Sequence, residues 1–198
     1  MTTKKTPGRP AGSSTAEEDI LIGAVEAFAL YGFHDCSVAN ILEHSGTSRT
    51  NFYRVFKNKE AVFELILKKN LSALQKVMQQ AFADVNPDKS LIEQLLSINE
   101  TYLDACFLAG DLLPVLFQEQ FSLPSHRKLR EQTFAQLLKG IQKTIANSGR
   151  EVPDKLLIDA LLTGVDRVVL QVSQKKISTA RKKALAMDVI EQLLIAFE

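Results

Sequence analysis

The segment from residue 33 to residue 60 constrains the fold more strongly than any other part of the chain. Ser37 can cap a helix there, because its hydroxyl accepts a hydrogen bond from an otherwise unpaired backbone N–H. The apolar residues that follow recur at helical spacing: Val38, Ile41 and Leu42. Gly46 suits the left-handed conformation that ends a helix, since it lacks a Cβ. The sequence therefore predicts a short helix between Ser37 and a tight turn at Gly46.

A second short helix follows this turn and differs from the first in the character of its outward face. Thr47 or Ser48 can cap it, and the inward side chains are Phe52, Val55 and Phe56. The outward face is polar and cationic, with Arg49, Thr50, Asn51, Tyr53 and Arg54. The two helices form a predicted helix-turn-helix, and the second has the shape and chemistry that fit a DNA major groove.

Charge supports this interpretation locally, whereas the whole chain has a formal charge of only +1. From residue 44 to residue 59 the sequence has four cations and no carboxylate: Arg49, Arg54, Lys57 and Lys59. The first fourteen residues hold three cations and no carboxylate: Lys4, Lys5 and Arg9. Two basic patches on either side of an acidic first helix are expected in a protein that contacts DNA phosphates at two separate places. Ordinary surface lysines on a solvated helix pair are the alternative explanation.

The basic N-terminal arm has a second feature that suits DNA. Its tripeptide Gly8-Arg9-Pro10 resembles the core of the AT-hook arms that bind in minor grooves. Proline favours extended backbone and Gly8 allows close approach, so Arg9 can enter a narrow, electronegative A·T groove. A solvated tail is the alternative, and we favour the arm because it stands just before the helix pair.

The distribution of glycine and proline predicts an all-α chain of about nine helices, because these residues separate stretches of helical apolar spacing and no strand-like alternation is visible. The first helix opens at Ser14-Thr15, with Glu17 or Glu18 completing a capping box, and ends at Gly32. Asn58 caps a long helix to about Val85. The later helices are predicted at 90–110, 111–121, 124–149, 153–173 and 178–198. The predicted domains are a basic arm (1–14), a helix-turn-helix DNA-binding domain (15–57) and a helical ligand-binding and dimerisation domain (58–198).

Two further features of the sequence bear on the cellular location of the protein. Charged or amide side chains interrupt every apolar stretch before it could span a bilayer, and the N terminus lacks a hydrophobic signal segment. We therefore expect a cytoplasmic protein without a membrane partner. Cys36 and Cys106 would stay reduced there, and we interpret Cys36 as a small buried apolar residue.

A gap-free set of residues between about 15 and 68 carries a family resemblance: Gly32-Phe33, Ser37-Val38, Ile41, Gly46, Ser48, Phe52-Tyr53, Phe56 and Lys59-Glu60. On these residues the sequence resembles the TetR family of bacterial regulators. Thr47 departs from the family, which usually has Val there, and Asn51 stands where Thr, Ser or another small residue is usual. The resemblance implies a transcriptional repressor that binds a pseudo-palindromic operator as a homodimer and is released by a small molecule.

The helix-turn-helix supplies the candidate DNA contacts. We expect the residues nearest the bases to be Ser48, Arg49, Thr50 and Asn51. Arginine can pair bidentately with guanine, and asparagine with adenine. We expect phosphate contacts from Ser37, Tyr53, Lys57 and Lys59, because hydroxyl and ammonium groups at helix ends position a protein without reading sequence.

The resemblance also implies that the last two helices form a two-fold, four-helix dimer interface. The candidate interface residues are Leu161, Val165, Val168, Val169, Val172, Ile190, Leu194 and Phe197. Gly164 would allow helices to approach closely, although these apolar residues can equally form an ordinary core. A dimer would place two recognition helices about 34–36 Å apart, one turn of DNA.

The middle helices carry the candidate ligand-binding residues: Tyr102, Phe107, Phe117, Phe121, His126 and Phe134. An apolar pocket with a few polar groups is the usual small-molecule site, so we expect a largely apolar effector of unknown identity. In TetR-like proteins such a ligand moves the long fourth helix and separates the reading heads. Each aromatic residue can instead belong to the core, and Glu100, Asp104 and Glu119 are either polar handles or solvated.

Two other classes of protein were weighed against a ligand-controlled regulator. A helical-bundle enzyme is disfavoured, because the sequence has no Glu-x-x-His pair, Gly-rich phosphate loop, nucleophile elbow or Cys-x-x-Cys motif. His34, His44 and His126 do not form a metal-ligand pattern, so we expect no metal and no cofactor. A DNA-binding protein that is blind to ligands remains the alternative.

Overall fold

A computed structural model describes residues 15–119 and 124–195, and these residues form nine α-helices and one 3-10 turn without a β-strand. The helices are α1 (Ala16–Asp35), α2 (Val38–Ser45), α3 (Arg49–Val55), α4 (Lys59–Ala83), α5 (Leu91–Phe107), α6 (Leu113–Glu119), α7 (Pro124–Asn147), α8 (Lys155–Ser173) and α9 (Thr179–Ile195). The 3-10 turn, Gly110–Leu112, leads directly into α6. The prediction of an all-α chain is confirmed.

Polar side chains cap the helices where the sequence predicted them to begin. Thr15 and Glu18 form a capping box at α1, and Ser90 and Glu93 form another at α5. The side chain of Asn58 accepts a hydrogen bond from a first-turn N–H of α4 at 2.9 Å. These caps satisfy backbone donors that have no partner within the helix.

Two boundaries differ from the prediction for local reasons. Gly32 interrupts α1 instead of ending it: its φ of 73° is non-helical, and the helix resumes as far as Asp35. α8 begins after Asp154, not at Pro153, because the Asp154 carboxylate accepts the N–H of Leu156 at 2.7 Å and so caps the helix.

The apolar side chains form two clusters that meet along α4. The first joins α1, α2, α3 and the first half of α4, and it includes Leu112, Val115 and Leu116 from the 3-10 turn and α6. The second joins the rest of α4 to α5, α7, α8 and α9. α6 therefore packs against the N-terminal helices although it lies far along the chain.

α1 and α2 cross at a glycine that the sequence analysis did not single out. A Cβ built on Gly23 would lie 2.3 Å from the backbone nitrogen of Ser45. Only glycine permits this approach, which brings the end of α2 against the middle of α1. The orientation of the helix-turn-helix therefore depends on the absence of a side chain at Gly23.

Within residues 15–119 and 124–195, none of the helices is both long and apolar enough to cross a bilayer.

Candidate nucleic-acid interface and effector cavity

The turn between α2 and α3 has the predicted backbone. Gly46 adopts a left-handed conformation with φ 65°, and its N–H donates to the carbonyl of Leu42 at 3.0 Å. Ser48 caps α3 by accepting the N–H of Asn51 at 3.2 Å. The choice left open between Thr47 and Ser48 is thus resolved in favour of Ser48.

α3 presents one apolar and one polar face. Phe52 is 0% exposed and, with Phe56, anchors the helix in the first cluster. The exposed side chains on the other side are Ser48, Arg49, Thr50, Tyr53, Arg54 and the following Lys57, while Asn51 is partly buried. The guanidinium carbon of Arg49 lies 5.8 Å from the centroid of the Tyr53 ring, a distance at which a cation attracts the ring face.

The predicted base contacts therefore lie together at one surface, and the roles of these residues remain predictions. Ser37, predicted to hold a phosphate, is exposed at the start of α2. Its hydroxyl already accepts the N–H of Asn40 at 3.2 Å, and the Asn40 side chain accepts the N–H of Ser37 at 2.9 Å. Arg9 lies outside the described residues.

Lys59, predicted to contact a phosphate, has a structural role in this chain. Its ammonium nitrogen donates to the carbonyl oxygens of Phe33, His34 and Cys36 at 2.7, 2.8 and 2.7 Å. An ammonium group has three N–H donors, so none is left for a phosphate in this arrangement. We call this contact the Lys59 clamp, because it ties the end of α1 to the start of α4. No sequence signal predicted it, since the acceptors are backbone atoms.

Cys36 lies beside the Lys59 clamp and is buried. Burial raises the pKa of its thiol, and the positive charge of Lys59 opposes that rise. The thiol therefore stays protonated at neutral pH, which agrees with its interpretation as a small apolar residue.

Two small cavities lie on either side of Tyr102 and Asp166, and both residues line each cavity. The larger, of about 80 Å³, is bounded by α4, α5, α6 and α8. The smaller, of about 30 Å³, is bounded by α4, α5, α7 and α8. A separate cavity of about 290 Å³ lies near the start of α8, where Arg150 and Glu151 are exposed.

The structure brings three of the six predicted ligand-binding residues to these two cavities. Tyr102 lines both, Phe117 lines the larger and Phe134 lines the smaller. Phe107 instead packs against the second apolar cluster and lines neither cavity. Phe121 and the side chain of His126 lie outside the described residues.

Asp166, the hydrogen-bond partner of Tyr102, was not among the predicted site residues. The Tyr102 hydroxyl donates a hydrogen bond to Oδ1 of Asp166. Burial raises the pKa of the Asp166 carboxyl, while the Tyr102 hydrogen bond and the charge of Arg130 lower it in part. Burial also raises the pKa of the neighbouring Cys106 thiol to about 12. The sequence did hold a signal, because Asp166 places a carboxylate among the valines 165, 168 and 169 of an otherwise apolar stretch.

Glu100 and Asp104 are not polar handles of the cavities. Both bind Lys183 of α9, with N–O distances of 3.0 and 2.8 Å, and both are largely exposed. Exposed ion pairs of this kind contribute little stability, so they mainly orient α5 against α9. The side chain of Glu119 lies outside the described residues.

Most of the predicted dimer-interface residues lie inside a single chain, and their role in an interface remains a prediction. Five of the eight residues are buried inside the chain's own second cluster: Val165, Val169, Val172, Ile190 and Leu194. A side chain enclosed by its own helices has no surface left to offer a second copy. Leu161 and Val168 are only partly buried, and Phe197 lies outside the described residues.

Gly164, expected at a close helix approach, makes none with the residues that the structure describes. A Cβ there would meet only Cδ1 of Leu193, at an ordinary 3.8 Å. Within the described residues, no group of three or more His, Cys, Asp or Glu side chains could hold a metal ion.

Comparison with known proteins shows which family the helix-turn-helix segment resembles. Residues 20–66, which include α2 and α3, match the family model described as bacterial regulatory proteins, tetR family. The chain is 30% identical over 105 residues to the HTH-type transcriptional regulator RutR of Escherichia coli K12, covering 52% of this chain and 50% of RutR. It is 32% identical over 60 residues to the uncharacterized HTH-type transcriptional regulator YdgC of Bacillus subtilis 168, covering 30% of this chain and 31% of YdgC. The chain thus spans half or less of these curated relatives.

Solved structures resemble the chain along most of its length. The fatty acid degradation regulator FadR of Bacillus halodurans superposes with a TM-score of 0.70 at 18% identity, covering 92% of this chain and 96% of FadR. The TetR family regulator PfmR of Thermus thermophilus gives a TM-score of 0.68 at 21% identity, covering 87% of this chain and 97% of PfmR. At such identities the likeness is one of fold. The family match covers residues 20–66, so the chain is similar to TetR family transcriptional regulators in its helix-turn-helix segment.

Proposed function

We propose that this protein is a transcriptional repressor that binds a pseudo-palindromic operator as a homodimer and is released by a small molecule. The observation that carries the proposal is the outward face of α3. Its polar and cationic side chains are exposed together, while Phe52 holds the opposite face in the core. A recognition helix needs both properties, because it must be rigid and must expose hydrogen-bonding groups to base edges.

The electrostatics of α3 and its flanks support DNA as the partner. Residues 44–59 carry four cations and no carboxylate, so phosphates meet no repulsive charge there. Arg49 and Lys57 are exposed and can reach phosphates. The ammonium group of Lys59 instead donates to three backbone carbonyls in the Lys59 clamp.

Dimerisation is proposed through α8 and α9, on a surface different from most of the predicted one. Leu161 and Val168 are seven residues apart and share a face of α8, where both are only partly buried. On α9, Leu185 and Val189 are four residues apart and are 36% and 38% exposed. Apolar side chains left exposed at helical spacing suit contact with a second copy.

Control by a small molecule is proposed at the two cavities beside Tyr102. Leu67, Leu71 and Leu116 line the larger cavity and also belong to the cluster that supports the helix-turn-helix. A molecule that enlarges this cavity must therefore displace side chains on which α1 packs. This is a physical route by which binding could favour a conformer that no longer fits the operator.

The test is selection of bound sequences from a random duplex pool, followed by affinity measurements on the selected operator. Arg49→Ala and Asn51→Ala should each relax preference at one base pair by about 1–3 kcal/mol. Lys76→Ala, an exposed change on α4 away from α3, is the matched control and should leave preference unaltered. Recovery of no enriched, two-fold-related sequence by the unaltered protein would remove the proposal.

A further inference from the structure

Tyr102 and Asp166 line both small cavities and are joined by a hydrogen bond. Besides these two residues, the cavities are lined by the Cys106 thiol, which stays protonated, and by the side-chain amides of Asn70 and Asn99. Each asparagine donates its amide nitrogen to a carbonyl one turn earlier on its own helix, at 2.9 Å. Among the described residues that line either cavity, Asp166 is thus the one carboxyl group.

A carboxyl group in this position is costly to the fold. The walls around it are mainly leucine, phenylalanine and other apolar side chains. Removing a carboxylate from water in such surroundings is unfavourable unless the group is fully hydrogen-bonded. A buried carboxyl that borders a cavity and has a shifted pKa is a candidate for binding, because a structural role could be filled by an apolar residue.

We infer that the two cavities form one binding site for a small apolar amine, whose ammonium group takes the place of the Tyr102 hydroxyl on Asp166. The inference deepens the proposed function, on which it rests for the consequence of binding. An ammonium group brings a full positive charge to the carboxylate as well as several N–H donors, whereas the Tyr102 hydroxyl it replaces brings one donor and no charge. The apolar body of the amine fills the larger cavity, between α4 and α6.

The same geometry selects against other head groups. A ligand carboxylate would face Asp166 as a like charge in a poorly solvated site, which is repulsive. A hydroxyl can donate to Asp166, but it brings no charge to match the carboxylate. Tyr102 and Asp166 line both cavities, so a ligand that displaces the Tyr102 hydroxyl from Asp166 can extend from one cavity towards the other.

The experiment compares three six-carbon probes that differ only in head group. Hexylamine, hexanol and hexanoate are titrated calorimetrically into the full chain at neutral pH. We expect hexylamine to bind about tenfold or more tightly than hexanoate, with hexanol between them. Asp166→Asn should weaken hexylamine binding about tenfold and abolish the preference between the charged probes. Tyr102→Phe should tighten hexylamine binding, because it removes the competing donor.

Several results would overturn the inference. These are equal or tighter binding of hexanoate, undiminished hexylamine affinity in Asp166→Asn, weaker hexylamine binding in Tyr102→Phe, and no heat with any probe. Thermal unfolding of each variant shows whether it is folded, so loss of binding is not confused with loss of structure. Operator affinity with and without hexylamine is measured separately. If hexylamine binds with the expected preference but operator affinity is constant, the amine site stands and the proposed release by a small molecule fails.

Discussion

Lys59 ties two helices together with a single side chain. Its ammonium group donates to three carbonyls at the end of α1, and it lies 5.0 Å from the centroid of the Phe33 ring. The carbonyls of Phe33 and His34 belong to the last turn of α1, where carbonyl groups have no partner within the helix. The clamp therefore fixes the first turn of α4 relative to the segment that leads into α2.

We expect Lys59→Met to lower the free energy of unfolding by about 1.5–3 kcal/mol, the range for hydrogen bonds to a charged group. Lys57→Met is the matched control, because Lys57 is exposed. It should leave stability unchanged while lowering the salt dependence of DNA binding by about one ion. Urea unfolding and operator titrations at several salt concentrations measure both effects. Equal stability of the two variants would show that the clamp contributes nothing.

Asp166 gives a pH-dependent prediction whose sign follows from its raised pKa. Burial raises the folded-state pKa above the ordinary value of 3.8, so the folded protein keeps a proton that the unfolded chain has lost. This stabilising contribution is complete below the ordinary pKa and is lost as pH rises through the folded-state pKa. Asp166→Asn should therefore raise Tm relative to the unaltered protein more at neutral pH than near the ordinary pKa. Asp188→Asn, an exposed change on α9, should show no such trend.

At the scale of elements, the helices themselves were predictable and their contacts were not. Caps, glycines and apolar spacing are local signals, so Thr15, Ser37, Asn58 and Ser90 marked helix starts correctly. The same apolar spacing on α8 and α9 could not distinguish a core face from an interface face. Five predicted interface residues proved to be core for this reason.

The same distinction, between local signals and contacts between distant residues, applies to the candidate site. The exposed face of α3 was predicted because one helix determines it, and half of the aromatic set reached the cavities. The Lys59 clamp and the Tyr102–Asp166 pair join residues 23 or more positions apart. No local pattern encodes such pairs, since they depend on how helices cross.

The crossing of α1 and α2 gives a prediction at this scale. Gly23→Ala should destabilise the protein by about 1–3 kcal/mol, because the added methyl meets the backbone of Ser45, which cannot move alone. Gly140→Ala is the comparison: its methyl meets the ring of Phe82, a side chain that also lines an open cavity. The ring can turn aside, so the cost should be smaller. Denaturant unfolding of both variants ranks them, and the reverse order would contradict this account of the crossing.

The N-terminal arm is an element whose role remains a prediction. Deletion of residues 1–13 should weaken operator binding and leave thermal stability unchanged, because the segment has cations for phosphates but few apolar side chains for a core. Binding is compared at moderate salt, with Tm as the control. Equal affinity of the truncated and full chains would assign the arm no part in DNA binding.

At the scale of the whole molecule, the proposed dimer would hold two helix-turn-helix domains together so that both can bind one operator. Val189→Arg places a charge on the exposed apolar face of α9 and should yield a folded monomer with much weaker operator binding. Leu108→Arg changes a side chain that is 87% exposed outside α8 and α9, and it should remain dimeric. Sedimentation and circular dichroism separate loss of assembly from loss of fold. A dimeric Val189→Arg variant would exclude this face from the interface.

The position of α6 has a consequence for protein engineering. Leu116 belongs to the apolar cluster beneath the helix-turn-helix and also to the wall of the larger cavity. The N-terminal helices and the helices around the larger cavity are consequently not interchangeable modules, since the apolar cluster beneath α1–α3 is completed by a side chain of α6. A hybrid that joins α1–α3 of this chain to the later helices of a similar protein would place a foreign α6 against α1. Such hybrids should fold and respond only when that one contact surface is transplanted with them.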